Sequence, residues 1–205
     1  NFNLAKLHTN TPIEVPIIIE RSKKPGPTVL FTAGIHGDEV NGIEIVRQLI
    51  SKKINKPKIG TIICFPIVNI FGFLQKVREF PDGRDLNRAF PGSKNGSLAS
   101  RIAYKLMKEI IPKVDYCLDF HTGGSSRFNV PHTRIEKDDP SLKILAEAFN
   151  APFILHSKNI KKSFRSACKK KGVPLLLFEG GKSNSIDSVV SNTGVNGSKR
   201  VLHHL

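Results

Sequence analysis

The 205-residue sequence has no tryptophan, only two tyrosines and three cysteines, and its 17 acidic residues face 32 lysines and arginines. Each scarcity excludes something. With almost no aromatic rings to stack on bases and no helical stretch that is solidly basic, the net charge of +15 does not read as a nucleic-acid platform. The lysines are scattered, with one tight run at Lys169-Lys170-Lys171. Such a charge also suits anionic small molecules. The cysteines Cys64, Cys117 and Cys168 are odd in number and far apart, so they give no disulfide framework. Cys64 and Cys117 lie in apolar runs, as buried inert thiols do, which points to a reducing, cytoplasmic setting. No apolar run approaches the ~20 residues of a membrane helix. The polar start Asn1-Phe2-Asn3 does not read as a signal peptide. No membrane partner is expected, and no internal repeat is present.

What remains is an ordinary globular mixture, 39% hydrophobic and 24% charged, long enough to bury a core. Apolar runs alternate with helical patterns. Strands are expected over residues 13–20, with Pro16 marking a sheet edge, and over 28–33, 60–69, 116–120, 152–155 and 173–178. Helices are expected after Glu39, with Ile43, Val46, Leu49 and Ile50 on one face. Others should run from Asn95-Gly96-Ser97 to a stop at Pro112, over 141–149, over 163–171 and at the end of the chain. Residues 71–96 lack periodicity, and such a long loop inside a compact domain is usually functional. The stretch that follows His121-Thr122-Gly123-Gly124, up to Pro140, reads as a polar loop. Strands alternating with helices predict a three-layer α/β/α sandwich around a mostly parallel mixed sheet, here one domain over residues 1–205.

Three of these strands hand over a polar residue at their carboxyl ends: His36 and Glu39 after the first, His121 at the second, Glu179 at the third. Ligands of open α/β sheets bind at those ends. His-x-x-Glu alone arises readily by chance. Together with His121 it supplies three N and O donors and leaves a fourth position, the arrangement of a catalytic zinc. A carboxylate outside that set is then needed to move protons, and Glu179 is the candidate. The stretch from Arg78 to Gly92 carries Arg78, Arg84, Asn87 and Arg88. Guanidinium groups there suit a substrate carboxylate through paired hydrogen bonds, and one near the metal could stabilise an oxyanion. The competing reading is a surface loop salt-bridged through Asp82 and Asp85.

HGDE at 36–39, DLNRAFPG at 85–92, DFHTGG at 119–124 and FEGG at 178–181 occur in this order. In this the sequence resembles the succinylglutamate desuccinylase/aspartoacylase family, a branch of the zinc carboxypeptidase-like fold. The resemblance covers about Phe31 to Gly181. It implies one zinc ion per chain, held by His36, Glu39 and His121, with Glu179 as general acid/base. It implies that Asn87 and Arg88 hold the substrate carboxylate and that Arg78 polarises the scissile carbonyl. Arg84 is the alternative for that role, because the interval to Asn-Arg is two residues longer than in aspartoacylase. His132 and Arg134 resemble more distant hydrolase-like relatives, and Arg134 is expected to bind substrate. The resemblance also implies a β-rich C-terminal domain, expected here to be absent or truncated. The expected activity is hydrolysis of an N-acyl amino acid or similar small acidic amide, with homo-oligomerisation left open. Its rivals are a metallocarboxypeptidase acting on peptides and a non-enzymatic basic binding domain that keeps the fold.

Overall fold

The computed structural model describes all residues except 7 and 126. Phe2–Lys6 (β1) and Pro12–Val15 (β2) form a small antiparallel hairpin. Seven further strands build one mixed sheet. They are Ile18–Arg21 (β3), Thr28–Ala33 (β4), Thr61–Phe65 (β5), Tyr116–Gly123 (β6), Asn129–Ile135 (β7), Phe153–His156 (β8) and Leu175–Lys182 (β9). Their spatial order is β3-β5-β4-β6-β9-β7-β8. The central β5, β4, β6 and β9 run parallel, while β3 and β7 join them antiparallel. β8 runs parallel to β7 at the edge.

The helices are Val40–Ser51 (α1), Ile70–Gln75 (α2), Leu98–Lys105 (α3), Pro140–Phe149 (α4), Phe164–Lys170 (α5) and Ser188–His204 (α6). Their starts follow from local chemistry. Asn69, Ser97, Asp139, Ser163 and Asp187 each accept a hydrogen bond from a first-turn N–H, satisfying a donor the helix leaves over. Alternation along β4 sends Leu30 to one face of the sheet and Val29 and Phe31 to the other. The first face packs against the hairpin, α3 and α5 through residues such as Phe65, Ile102, Leu106 and Phe164. The second packs against α1, α4 and α6 through Ile45, Leu49, Phe149 and Val190. Burying each such side chain contributes about 1.5–3 kcal/mol. α6 lies close to its neighbours because glycine stands at two contacts. A Cβ on Gly194 would meet Ile45 at 2.3 Å, and one on Gly197 would meet Phe149 at 2.4 Å.

The expected sandwich is therefore present, with several local differences, among them α2 and a 3-10 turn at Leu86–Arg88 within the stretch 71–96 expected to be a loop. The single strand expected over residues 13–20 is broken at Pro16, which has no N–H for a ladder, and its halves enter different sheets. β5 stops before Pro66 for the same reason. The helix ending at Pro112 leaves α-geometry after Lys105, continuing as a π-turn at Leu106–Ile110 and a 3-10 turn at Ile111–Lys113. The polar loop expected before Pro140 contains β7. Among the described residues, no helix is long and apolar enough to cross a membrane.

Candidate active site

The turn after β4 is shaped by Gly34, at φ +62°, and by Gly37, where a Cβ would lie 2.0 Å from the backbone of Gly72. Only glycine permits so close an approach. It docks the turn against residues 72–79, and the Gly37 N–H donates to the Arg78 carbonyl at 3.4 Å. The turn thus delivers His36 and Glu39 beside β6, whose carboxyl end carries His121.

All three side chains are buried, and one potential ligand atom from each lies within 4.8 Å of the others. Glu39 is the hub. Its Oε1 is 2.7 Å from His36 Nδ1 and accepts from Arg78 at 3.1 Å. Its Oε2 is 2.7 Å from His121 Nδ1 and accepts from the Thr122 N–H at 3.1 Å. The outer edges of both rings also meet carboxylates. His36 Nε2 lies 3.1 Å from Asp85, and His121 Nε2 lies 2.8 Å from Asp119. Asp119 in turn accepts from the Thr32 hydroxyl at 2.7 Å.

Burial disfavours a charged His36, but the charge of Glu39 and the hydrogen bonds to Asp85 and Glu39 outweigh it and raise its pKa. His121 is likewise opposed by burial and driven well above its ordinary value by Asp119 and Glu39. Burial would raise Glu39, but the two histidines hold it well below the usual carboxylate range. The donor set fits a zinc ion. Two imidazoles and a carboxylate converge on one point, and each ring carries an outer carboxylate to fix its orientation.

The cluster opens into a cavity of about 160 Å³. Glu179, in the carboxyl-terminal half of β9, lines it, as do Arg78, Arg88, Arg134 and Arg165. Arg78 bridges Glu39 and Asp85. Asn87 also lines the cavity, its Oδ1 anchored by the Phe164 N–H at 2.8 Å. Arg88 is exposed, with one guanidinium nitrogen on the Asn87 carbonyl at 2.7 Å. Glu179 accepts from Asn129 Nδ2 at 2.6 Å and forms an ion pair with Arg134, Nε to Oε2 2.9 Å. Arg84 is not brought to the cavity. The turn at Gly83 (φ +73°) carries it to the surface, where it pairs with Asp82 at 3.3 Å. A larger hollow of about 300 Å³, at the other ends of β4 and β5, is lined by lysines and apolar side chains and by no Asp or Glu side chain.

Four residues of this site escaped the sequence reading of roles: Asp119, Asp85, Asn129 and Arg165. Asp119 carried a signal, because it precedes His121 by two in an apolar strand and so shares its face. Asp85 and Asn129 sit where no period applies. Arg165 carried a subtler one, an arginine three residues from Cys168 on the apolar side of a short helix. It is buried, donates to Ser157 and to the Lys158 carbonyl at 3.1 Å each, and leaves Nη1 without a protein partner. Burial, then the neighbouring Arg134, lowers its pKa.

Comparison with known proteins gives the same frame. A structure of a succinylglutamate desuccinylase/aspartoacylase from Rhodobacter sphaeroides superposes with a TM-score of 0.87 at 31% identity, covering 97% of this chain and 62% of that one. The product-bound ectoine utilization protein EutE (DoeB) from Ruegeria pomeroyi gives 0.89 at 25% identity, covering 99% and 64%. An N-alpha-acetyl-L-2,4-diaminobutyric acid deacetylase from Halomonas elongata is 28% identical over 194 residues, 89% of this chain and 56% of that protein. The chain thus spans less than two thirds of the length of each of these relatives. The family model for the succinylglutamate desuccinylase/aspartoacylase catalytic domain matches residues 25–205, and the chain belongs to that family.

Proposed function

We propose that this domain hydrolyses the amide bond of an N-acyl amino acid with the help of one zinc ion held by His36, Glu39 and His121. The observation that carries the reading is the convergence of that buried donor set, Glu179 and several guanidinium groups on one cavity. A zinc ion in such a set supplies Lewis acidity and makes water nucleophilic near neutral pH. Everything else falls to the chain's own residues. Glu179 takes the proton from the attacking water and returns it to the leaving amine nitrogen. Its two oxygens each keep room for a further hydrogen bond beside the Asn129 amide and the Arg134 ion pair. Arg78 faces the cavity edge of the cluster and stabilises the oxyanion that forms on the carbonyl oxygen. Asn87, Arg88 and Arg165 hold the substrate carboxylate, with the free Arg165 Nη1 as its most buried donor.

Similarity to the N-alpha-acetyl-L-2,4-diaminobutyric acid deacetylase from Halomonas elongata supports a small N-acyl substrate rather than a peptide. The test is Glu179→Gln, which keeps the size of the side chain and cannot take the proton. Against a panel of N-acetyl and N-succinyl amino acids, zinc content should hold while kcat falls by about 10²–10⁴-fold. Normal kcat with zinc bound would remove Glu179 as the base. Loss of zinc would make it a ligand.

A further inference from the structure

β7 is the one strand of the site that the sequence did not announce, and the hydrolytic reading leaves most of its polar residues unused. In register, His132 lies opposite Glu179 while Asn129 lies opposite Gly181, three residues on β7 against two on β9. This is a one-residue bulge centred on Pro131, a residue that has no N–H to lose. Its consequence follows from the period of a strand. Side chains two apart share a face, so His132 and Arg134 point together and Asn129 would point away. The extra residue restores Asn129 to their side. Gly180 lies across from the bulge, where a Cβ would come within 3.3 Å of Pro131.

Asn129 and Arg134 then close on one carboxylate, with His132 behind Arg134. Asn129 Nδ2 donates to Glu179 Oε1 at 2.6 Å, and the Arg134 guanidinium forms an ion pair with Oε2, Nε to oxygen 2.9 Å. His132 Nδ1 lies 2.7 Å from the Val130 carbonyl. The proton therefore sits on Nδ1, and Nε2 accepts from Arg134 Nε at 3.1 Å. His132 is buried and Arg134 is partly exposed. The rigid ring thus fixes the guanidinium, and the guanidinium fixes the carboxylate.

We propose that Arg134, steered by His132 and seconded by Asn129 across the β7 bulge, is the positioning residue for Glu179. This rests on the hydrolytic reading above. It gives Arg134 a different task from gripping substrate. A carboxylate hung on a single-bonded stem sweeps a wide arc, and misplacement by about 1 Å can cost on the order of 10²-fold in rate. A hydrogen bond on one oxygen and an ion pair on the other remove that freedom while leaving lone pairs toward the cavity.

The experiment is a double-mutant cycle on the zinc-loaded chain, using the N-acetyl amino acid turned over fastest in a panel. Arg134→Met should lower kcat about 10- to 100-fold with KM and zinc content unchanged. In a Glu179→Gln background the same substitution should cost nothing further, because the two residues act as a unit. His132→Ala should give a smaller fall in kcat, again at constant KM. Arg134→Lys, which keeps the charge, should recover part of the loss and serves if the methionine variant does not fold. A readout independent of turnover is the Glu179 side-chain carboxyl ¹³C resonance in the metal-free chain, assigned by its loss in Glu179→Gln. Both Arg134→Met and His132→Ala should move it. A raised KM at constant kcat, or additive losses in the double variant, would overturn the proposal while leaving Glu179 as the base. Full activity in Glu179→Gln would overturn both together.

Discussion

Asp119 takes the Nε2 edge of His121 at 2.8 Å while the Nδ1 edge of the same ring meets Glu39 at 2.7 Å. The ring is thus held from behind by a carboxylate that is itself fixed by Thr32. A ligand imidazole oriented in this way binds metal more tightly, and losing the outer partner typically costs 10–100-fold in affinity. Asp119→Asn preserves shape in a fully packed position and removes the charge. We expect its zinc dissociation constant, measured by competition with a chromophoric chelator, to rise by about that factor. His121→Ala should lose most of the zinc outright.

The proton balance of the cluster sets how zinc uptake depends on pH. The pKa values of His36 and His121 are raised above 6.5, so the metal-free rings keep their protons to higher pH than a free imidazole does, and an incoming ion must displace them. Zinc affinity should therefore climb as pH rises through those raised values, with protons released. Calorimetry in buffers of different ionisation enthalpy measures that release directly. Stability of the metal-free chain should run the other way. The raised histidines contribute stabilisation that is complete below 6.5 and lost as pH rises through their folded values. Glu39, depressed from 4.5, contributes stabilisation present above 4.5 and lost as pH falls through its folded value. A metal-free chain whose melting temperature rises steadily from pH 6 to 9 would contradict this account.

The turn that presents His36 and Glu39 should tolerate no side chain at Gly37. A methyl group there would overlap the Gly72 and Phe73 backbone, at 2.0 and 2.2 Å, and backbone cannot swing aside as a flexible side chain would. Overpacking typically costs about 1–3 kcal/mol, and here the displaced segment carries two of the three proposed metal donors. Gly37→Ala should lower the melting temperature modestly and the zinc content sharply. Equal zinc in variant and wild type would show that the turn relaxes without moving its ligands.

How much of this was legible in sequence depended on whether a period reached the residue concerned. β4 was readable as a both-faces-buried run, and the α1 face as Ile43, Val46 and Leu49. His36, Glu39 and His121 were placed together because strand ends converge in such sheets. β7 was not readable. Its residues Asn129, His132 and Arg134 face a polar site, so the strand lacks the apolar alternation that announces one, and the bulge at Pro131 breaks what period it has. Arg78 is the preferred carbonyl-polarising arginine in the sequence, but with no periodicity in its loop Arg84 stays a competitor. They were separated only by the Gly83 turn, which sends Arg84 outward to Asp82.

The anion subsite offers the sharpest comparison, because two arginines line the same cavity in different settings. Arg88 is exposed and hydrogen-bonded to a backbone carbonyl. An ion pair made there shares its field with water and contributes roughly 0.2–1 kcal/mol, less than its place in the Asn-Arg pair suggests. Arg165 is 8% exposed, and its Nη1 has no protein partner. A hydrogen bond from such a group to a charged ligand contributes about 1.5–3 kcal/mol, or roughly 10- to 150-fold in affinity. We therefore expect Arg165→Met to raise KM for an acidic N-acyl amino acid by that factor and Arg88→Ala by about fivefold at most. In both, kcat should stay near wild type, since binding of the carboxylate is the same before and during the reaction. Arg165 also ties Ser157 and Lys158 to α5, so the melting temperature of Arg165→Met must be read beside its kinetics. A folded Arg165→Met protein with wild-type KM, or an Arg88→Ala effect larger than that of Arg165→Met, would move the carboxylate toward the cavity mouth and away from α5.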